Sequence, residues 1–510
     1  MNTPGSFKVQ AKRWLLLLLI WTVSSSEALD RVRVDLDFVR KQAEERAQKP
    51  FKERRDRLPS WLKDLDYSQY QDIRFLPQQA LWIDEGLPFQ VQFFHPGGIF
   101  QDPVQISEFS DAFAQEIPFV SDFFSYGSRI EVGRLPRNLG YAGFRLHHPL
   151  NRPGYFDELV VFLGASYFRA LGMGQAYGIS ARGIAVNTGL GGPEEFPAFV
   201  AFWLGKPEAD ATSITVFALL DGPSLTGAFR FRIVPGETSV IEVAASLFLR
   251  QEVEAIGLAP LTSMFWYGEN TIQPGDDFRP EVHDSDGLAV RVADDNWIWR
   301  PLNSPPTVQA TDFPVADLKG FGLLQRDRDF DHYQDFEAKF DLRPTAWVEP
   351  NGTWGAGRVR LVELPTGNEY MDNVVAFWIP DEPLQPGRRF DLEYNILWAL
   401  DRGVVTPVGR TVSTRSGSLP GNGLSRLFVV EFAGSHLAGM AADSPIDAVI
   451  GVPEGARFLH SEVKKNPVTD TWRVSFGVEA LEGGKPIDLH CHLRSGFETL
   501  TETWVYRWHP

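Results

Sequence analysis

The sequence predicts an all-β protein in which a large N-terminal β-sandwich is followed by a small immunoglobulin-like β-sandwich. From Leu87 onward, apolar and polar residues alternate with a period of two, as they do in strands that bury one face. The 45 glycines and 36 prolines among 510 residues are typical of strands joined by turns. A Ser/Thr/Gly-rich stretch, 411–423, precedes short alternating strands that match an immunoglobulin-like domain of about 100 residues.

Two helices are predicted ahead of the strands. Residues 35–48 carry apolar side chains at three- and four-residue intervals from Leu36 to Ala47, with charged residues on the opposite face. A second, shorter helix is predicted to start at Ser60 and to present Trp61 and Leu62 to the core. Both segments therefore pack one apolar face against the sheets that follow.

The strands are predicted from their alternation and from the turns between them. Residues 228–234 alternate Phe and Ile with Arg, a turn begins at Pro235, and 240–249 forms the returning strand of a hairpin. Three later segments alternate in the same way, at 392–398, 428–432 and 472–478. No fixed-period repeat is present, which argues against propellers and solenoids.

The N-terminus has the pattern of a secretory signal peptide. Basic residues up to Arg13 precede a short apolar run, and a Ser-x-Ala step ends at Ala28. The run is shorter than the roughly 20 residues of a spanning helix, although an uncleaved anchor is the alternative. We expect a signal peptide at 1–28, a large domain at 29–402 and the immunoglobulin-like domain at 403–510, with no membrane span after cleavage.

Composition excludes several classes of function. The formal net charge of −17 argues against nucleic acid, whose phosphates require clustered Lys and Arg. A single cysteine, Cys491, rules out an intramolecular disulfide. Cys491 lies between two histidines on a predicted strand and is expected to be buried, so we predict no metal site there. We also predict no cofactor for the chain. Calcium at Asp284 and Asp286 is a weaker alternative, because no EF-hand glutamate follows at the required position.

Acidic segments near aromatic residues indicate carbohydrate chemistry. Asp284 lies in a dense acidic turn, 281–287, and Asp372 lies where a predicted strand begins. Glycoside cleavage uses two carboxyl groups, one to protonate the leaving oxygen and one to activate water or attack carbon. Aromatic side chains that could stack on sugar rings are plentiful nearby: Trp297, Trp299, Tyr333, Trp347, Trp354 and Trp378.

Longer blocks of sequence carry a family resemblance. They include LGASYFRA (163–170), FRPEVHDSDGL (278–288), NWIWRPLN (296–303), DNVVAFW (372–378) and ETWVYRW (502–508). With these blocks the chain resembles the periplasmic glucans biosynthesis proteins G and D of Gram-negative bacteria along nearly its whole length. The features do not separate G from D.

The resemblance implies a galactose-mutarotase-like N-terminal sandwich and a protein of the periplasm that takes part in making osmoregulated glucans with a β-1,2-linked backbone. It also implies an inverting endo-β-1,2-glucanase, with Asp372 as general acid and Asp284 as base through a proton relay. Glu369 is then expected to line the cleft and to raise the pKa of Asp372, while Tyr333, Trp347 and Trp297 bind the glucan.

Two alternatives to hydrolysis stay open. One is a non-catalytic glucan-binding protein that guides the chain from the inner-membrane glucan glucosyltransferase, its expected partner. The other is transglycosylation or branching in the same cleft, with a sugar hydroxyl in place of water.

Overall fold

A computed structural model describes residues 33–53, 58–111, 113–293, 296–400, 406–420 and 423–510. The predicted signal peptide, 1–28, lies outside the described residues, and so does the predicted domain boundary at residues 402 and 403. Within the described ranges, residues in strands far outnumber residues in helices, which confirms the all-β class.

The helices are short and lie mostly near the N-terminus. They are α1 (Leu36–Ala47), α2 (Ser60–Lys63), α3 (Tyr67–Gln71) and α4 (Ser435–Ala438). The first two confirm the predicted helices at 35–48 and from Ser60. Asp35 caps α1 by accepting a hydrogen bond of 2.9 Å from the backbone N–H of Phe38. Val39 and Ala43 form its buried face.

The strands fall into two groups along the chain. Those before residue 402 are β1 (Arg74–Phe75), β2 (Gln90–Phe94), β3 (Gln105–Ser110), β4 (Phe113–Glu116), β5 (Phe124–Ser125), β6 (Gly143–His148), β7 (Asp157–Leu163), β8 (Tyr167–Ala170), β9 (Ser180–Arg182), β10 (Ala185–Val186), β11 (Ala198–Gly205), β12 (Ile214–Asp221), β13 (Leu225–Val234), β14 (Ser239–Leu249), β15 (Ile256–Ser263), β16 (Phe265–Tyr267), β17 (Val282–His283), β18 (Gly287–Ala293), β19 (Asn296–Pro301), β20 (Gln309–Val315), β21 (Gly320–Leu324), β22 (Thr345–Pro350), β23 (Gly357–Glu363), β24 (Val374–Pro380) and β25 (Arg389–Ala399). Those after it are β26 (Arg410–Ser418), β27 (Ser425–Ala433), β28 (Asp447–Gly451), β29 (Ala456–Asn466), β30 (Thr471–Ala480), β31 (Ile487–Ser495), β32 (Glu498–Thr499) and β33 (Thr503–Trp508). They confirm the predicted hairpin at 228–249 and the three later alternating segments.

Three sheets hold most of these strands, while β1 with β5 and β16 with β17 form two small two-stranded sheets. Sheet I has the order β2-β6-β7-β8-β9-β15-β24-β23-β20, and sheet II has the order β28-β31-β33-β19-β18-β21-β22-β25-β14-β13-β12-β11-β3-β4. Sheet III has the order β26-β27-β30-β29. Sheets I and II pack face to face through aromatic side chains, and Phe231 of sheet II lies 5.2 Å from Phe162 and 5.1 Å from Phe168 of sheet I, ring centroid to ring centroid.

The C-terminal strands join the large sandwich through the backbone. Strand β33 pairs in parallel with β19, so that Thr503 lies beside Ile298 and Trp504 beside Trp299. Trp504 also packs against Phe428 of sheet III at a ring-centroid distance of 6.1 Å. Strands β28, β31 and β33 therefore belong to sheet II and also face sheet III, while the boundary at 402 and 403 stays a prediction.

The alternation of strand residues gives the outer face of sheet I polar side chains on strands β8 and β9. Along its central strands, Phe168, Ala181 and Leu261 pair in one row and point into the core. The neighbouring positions Tyr167 and Arg182 pair in the next row and therefore point to the other side. This outer face is where the candidate site lies.

A buried ion pair connects the two large sheets. Arg300 of β19 and Glu363 of β23 are fully buried and lie 2.9 Å apart, Nη2 to Oε2. The backbone N–H of Asn303 donates to the other carboxylate oxygen at 2.7 Å. Each charge depends on its partner, because an unpaired charge in the interior is very costly.

Replacing only one member of this pair is expected to destabilise the protein strongly. Glu363→Leu should lower the free energy of unfolding by about 3–5 kcal/mol, because the Arg300 guanidinium stays buried without its carboxylate. The double variant Arg300→Met/Glu363→Leu should recover most of that loss, since it leaves no charge behind. Urea unfolding measures both, and a loss below about 1 kcal/mol in the single variant would contradict the argument.

Candidate functional site

Asp372 lies at the entrance of strand β24, where a loop closes back on the sheet. The next residue, Asn373, fixes that closure: its side-chain Oδ1 accepts from the backbone N–H of Phe265 at 2.8 Å, and its Nδ2 donates to the carbonyl oxygens of Phe265 and Leu364 at 2.9 and 3.0 Å. The backbone N–H of Leu364 donates to the carbonyl oxygen of Asn373 at 2.8 Å. The loop ends are therefore tied together, which holds Asp372 in place.

The surroundings of Asp372 favour its protonated form. Its side chain reaches solvent, yet the protein around its carboxyl group displaces enough water to raise its pKa above the ordinary value. The positive charges of Arg169, Arg182 and Arg343 act in the opposite direction and lower it. The loss of hydration outweighs the arginines, so the net shift of the pKa is upward.

Asp284 lies directly after strand β17 and is buried. Its backbone N–H donates to the carbonyl oxygen of Met264 at 2.8 Å, and its carboxylate forms an ion pair with the guanidinium of Arg343. Burial raises the pKa of Asp284 to about 6, against the lowering effect of Arg343. The negative charge of Asp372 contributes to this rise, so Asp372 lies within electrostatic range of Asp284.

A buried polar network supports the segment that carries Asp284. The ring of His283 is hydrogen-bonded on both nitrogens, Nδ1 to Gln325 Oε1 and Nε2 to Glu281 Oε2, each at 2.9 Å. Burial acts to lower the pKa of His283, but the hydrogen bond and charge of Glu281, with further nearby carboxylates, raise it overall. Gln325 also donates to the hydroxyl of Tyr333 at 2.9 Å. This network fixes the backbone beneath Asp284.

Tyr333 lies inside this network and not on the cleft surface. Its ring is fully buried and packs edge-on against His283 at 5.3 Å. Its hydroxyl donates to the carbonyl oxygen of Asp327 at 3.2 Å. No face of the ring is open to a sugar, so we no longer expect Tyr333 to contact glucan directly.

Trp297 and Trp347 are also core residues. Trp297 of β19 is 4% exposed and Trp347 of β22 is 2% exposed. Their rings stack on each other with centroids 5.3 Å apart, within a cluster that includes Trp472 and Trp504 of the C-terminal strands. Sheet packing therefore covers both indoles, and we no longer expect them to contact a sugar.

Glu369 is held in an ion-pair cluster around Arg279. Arg279 Nη1 donates to Glu369 Oε2 at 2.6 Å and to Asp335 Oδ2 at 3.1 Å, and its Nη2 donates to Asp277 Oδ2 at 2.8 Å. The arginine thereby joins three loops, one of which leads directly into Asp372. Glu369 is not a source of the raised pKa of Asp372, because the loss of hydration raises that pKa and the charges that act on it are arginines.

One group of side chains has the composition of a metal site. Ligand atoms of Glu281, Asp327 and His332 lie within 4.8 Å of one another. These groups already bind protein partners, since Asp327 pairs with His332 at 2.5 Å and Glu281 with His283 at 2.9 Å. The cluster therefore adds to the network beneath Asp284, and we base no step of the chemistry on it.

Comparison with known proteins identifies the family. Residues 34–508 match the family model for the periplasmic glucan biosynthesis protein, MdoG. The chain belongs to this periplasmic glucan biosynthesis family. The match spans every residue of the site, from Arg169 to Asp372.

Full-length relatives support the family assignment. The chain is 42% identical over 500 residues to the Glucans biosynthesis protein G of Ralstonia nicotianae, which covers 96% of this chain and 99% of the relative. It is 38% identical over 507 residues to the Glucans biosynthesis protein G of Pectobacterium atrosepticum, with 98% and 97% covered. Among the described residues of this family member, no helix is long and apolar enough to cross a membrane.

Sequence reasoning missed the arginines around Asp372 and Asp284. Arg169 and Arg182 lie on strands β8 and β9, on the polar side of an alternating pattern that could have identified them. Arg343 follows a short 3-10 helix, and nothing in its local sequence indicates a partner as far away as Asp284. Its role is visible only once the chain is folded.

Proposed function

We propose that this protein binds the β-1,2-linked glucan backbone in the periplasm and cleaves it by inverting hydrolysis. The pairing of Asp372 with Asp284 carries the proposal, because both carboxyl groups have raised pKa values and the charge of Asp372 acts on Asp284. Glycosidases require one carboxyl group that stays protonated and one that accepts a proton. Membership of the glucan biosynthesis family supplies the class of polysaccharide.

In this mechanism Asp372 is the general acid. It donates its proton to the glycosidic oxygen while the bond from that oxygen to the anomeric carbon breaks. Water attacks the anomeric carbon from the opposite face and forms the new C–O bond, and its proton passes to the carboxylate of Asp284 directly or through a relay. Inversion follows, because attack and departure take place on opposite faces of the sugar.

The contacts of Arg343 differ between the two aspartates. Arg343 forms an ion pair with Asp284 and so favours the carboxylate that a base must be. Asp372 accepts no hydrogen bond from Arg343 among the described contacts, although the charge of Arg343 also acts to lower its pKa, and we assign the role of the protonated acid to it. The same asymmetry underlies acid and base assignments in other carboxylate pairs.

The outer face of sheet I supplies the binding surface in this proposal. A pocket of about 310 Å³ near Asp372 is lined by aromatic and charged side chains, among them Tyr167, Arg169, Tyr177 and Glu158. Aromatic rings can pack on the apolar faces of sugars, while charged and polar groups hydrogen-bond to their hydroxyls. This combination suits a polysaccharide chain.

A non-catalytic glucan-binding accessory is the second candidate function. The observation that favours it is the group of three arginines whose charges lower the pKa of Asp372 and so oppose its role as an acid. The relatives are named for glucan biosynthesis and not for hydrolysis. In this hypothesis the cleft guides a glucan chain that comes from the protein's expected partner, the inner-membrane glucan glucosyltransferase.

Purified protein incubated with linear β-1,2-glucan tests the proposal. We expect the glucan to shorten with time, and the new reducing ends to have the anomeric configuration opposite to that of the cleaved bond. Size separation and NMR of the first products measure both. Glucan that binds but keeps its length would support the accessory, and longer or branched products would indicate transglycosylation.

A further inference from the structure

A second and larger pocket lies beyond the proposed catalytic cleft. It has a volume of about 580 Å³, within the usual range of about 300–1,000 Å³ for ligand sites. Helix α3, strand β2 and the loop 95–100 form its walls. Apolar side chains dominate the lining, among them Tyr67, Phe94, Ile99 and Phe100, and the polar groups include His95 and Arg145.

His95 contributes a hydrogen-bond acceptor that has no partner among the described residues. The side chain is 3% exposed, and its Nδ1 lies 2.7 Å from the carbonyl oxygen of Pro96. A carbonyl only accepts, so Nδ1 carries the proton and Nε2 is left as an acceptor in the neutral ring. Nε2 is buried without a hydrogen bond within the described chain. A buried acceptor of this kind is costly unless a ligand or water satisfies it.

The rim of this pocket exposes large apolar side chains. Tyr67 is 76% exposed and Ile99 is 85% exposed. The loop that carries Ile99 is held against the helices by a hydrogen bond of 2.8 Å from the backbone N–H of Gly98 to the carbonyl oxygen of Leu62. Gly98 has a φ of +55°, and an added Cβ would lie 3.2 Å from the carbonyl oxygen of Leu65. The backbone of this wall is therefore held in a defined conformation.

The pocket is continuous with the cleft along the outer face of sheet I. Phe94, Phe100 and Arg145 line both this pocket and the pocket of about 310 Å³ beside Arg169. Strand β2 is separated from β24, which follows Asp372, by six strand spacings of about 4.8 Å each, or about 29 Å across the sheet. A ligand that occupies both ends must therefore be an extended chain and not a single sugar.

We infer that this pocket is a remote subsite that holds a segment of the same glucan chain that Asp372 acts on. The inference rests on the proposed function, because that proposal supplies the glucan ligand. Tyr67 and Ile99 pack on apolar sugar faces at the rim. The subsite makes affinity depend on chain length, because only long chains reach it from the cleft.

Binding of β-1,2-linked oligosaccharides tests the inference in an Asp372→Asn background, where the ligand stays intact. The variants are Tyr67→Ala and Ile99→Ser, both at exposed positions, with Tyr155→Ala as an exposed tyrosine outside the pocket. We expect each pocket variant to weaken binding of a decasaccharide about tenfold and to leave binding of a trisaccharide within about twofold. Tyr155→Ala should change neither. Isothermal titration calorimetry gives all the dissociation constants.

The outcomes separate this inference from the proposed function. Unchanged decasaccharide affinity in both pocket variants would overturn the subsite, while glucan binding to the cleft would stand. An equal loss of affinity for the decasaccharide and the trisaccharide would also overturn it, because the contribution of the pocket would then not depend on chain length. If the protein without pocket substitutions binds neither oligosaccharide, the proposed function fails and the inference fails with it.

Discussion

Asp372→Asn is expected to lower the rate of β-1,2-glucan hydrolysis about a thousandfold while glucan affinity changes little. General acid catalysis typically contributes about 10²–10⁴-fold, and an amide at this position has no proton to give to the leaving oxygen. Asparagine has nearly the same shape as aspartic acid, so the loop held by Asn373 should keep its conformation. Product formation against time, with binding measured separately, gives the two effects.

The matched control for this substitution is Asp381→Asn. Asp381 directly follows strand β24, whereas Asp372 precedes it, and Asp381 is exposed beside Arg358. The Asp381→Asn variant should hydrolyse glucan at a rate within about twofold of the unmodified protein, because an exposed ion pair contributes little to stability. A rate for Asp372→Asn close to that of the control would remove Asp372 from the mechanism and favour the glucan-binding accessory.

Asp284→Asn is expected to lower the rate strongly and to remove the decline of the rate at acidic pH. The base must be a carboxylate, and burial raises the pKa of Asp284 to about 6. The rate of the unmodified protein should therefore fall below about pH 6, by tenfold for each further pH unit, as Asp284 becomes protonated. The variant should be about 10²–10⁴-fold slower near pH 7, and its remaining rate should lack that acidic decline.

Rate measurements from pH 4.5 to 8 on both proteins make this comparison, and thermal unfolding checks that the variant is folded. Arg343 keeps its positive charge in the variant and is partly exposed, so water can solvate it when the carboxylate is gone. An acidic decline with the same midpoint in both proteins would show that another group titrates there. Asp284 would then no longer be the base.

The fold could be predicted largely because its signals are local. The alternation in strand β13, its turn at Pro235 and the return in β14 are properties of neighbouring residues, and the hairpin forms with the predicted pairing. The parallel pairing of β33 with β19 could not be predicted in this way. It joins segments far apart in the sequence, and no turn between them fixes the register.

The candidate site shows a similar division. Asp372 and Asp284 were found through blocks of family resemblance, and the structure brings them within electrostatic range. The aromatic residues expected to bind sugar, Tyr333, Trp297 and Trp347, are all buried in the structure. An aromatic residue on an alternating strand has the same sequence pattern whether another sheet covers it or solvent does.

The sequence by itself determined the strand pattern, the family and the identity of the two aspartates proposed for catalysis. Only the tertiary structure decided which side chains reach the cleft, that Arg343 pairs with Asp284, and that Glu369 is occupied by Arg279. The physical reason is that backbone periodicity depends on adjacent residues. Burial, charge pairing and the pKa shifts that follow from them depend on groups that folding brings together from distant parts of the chain.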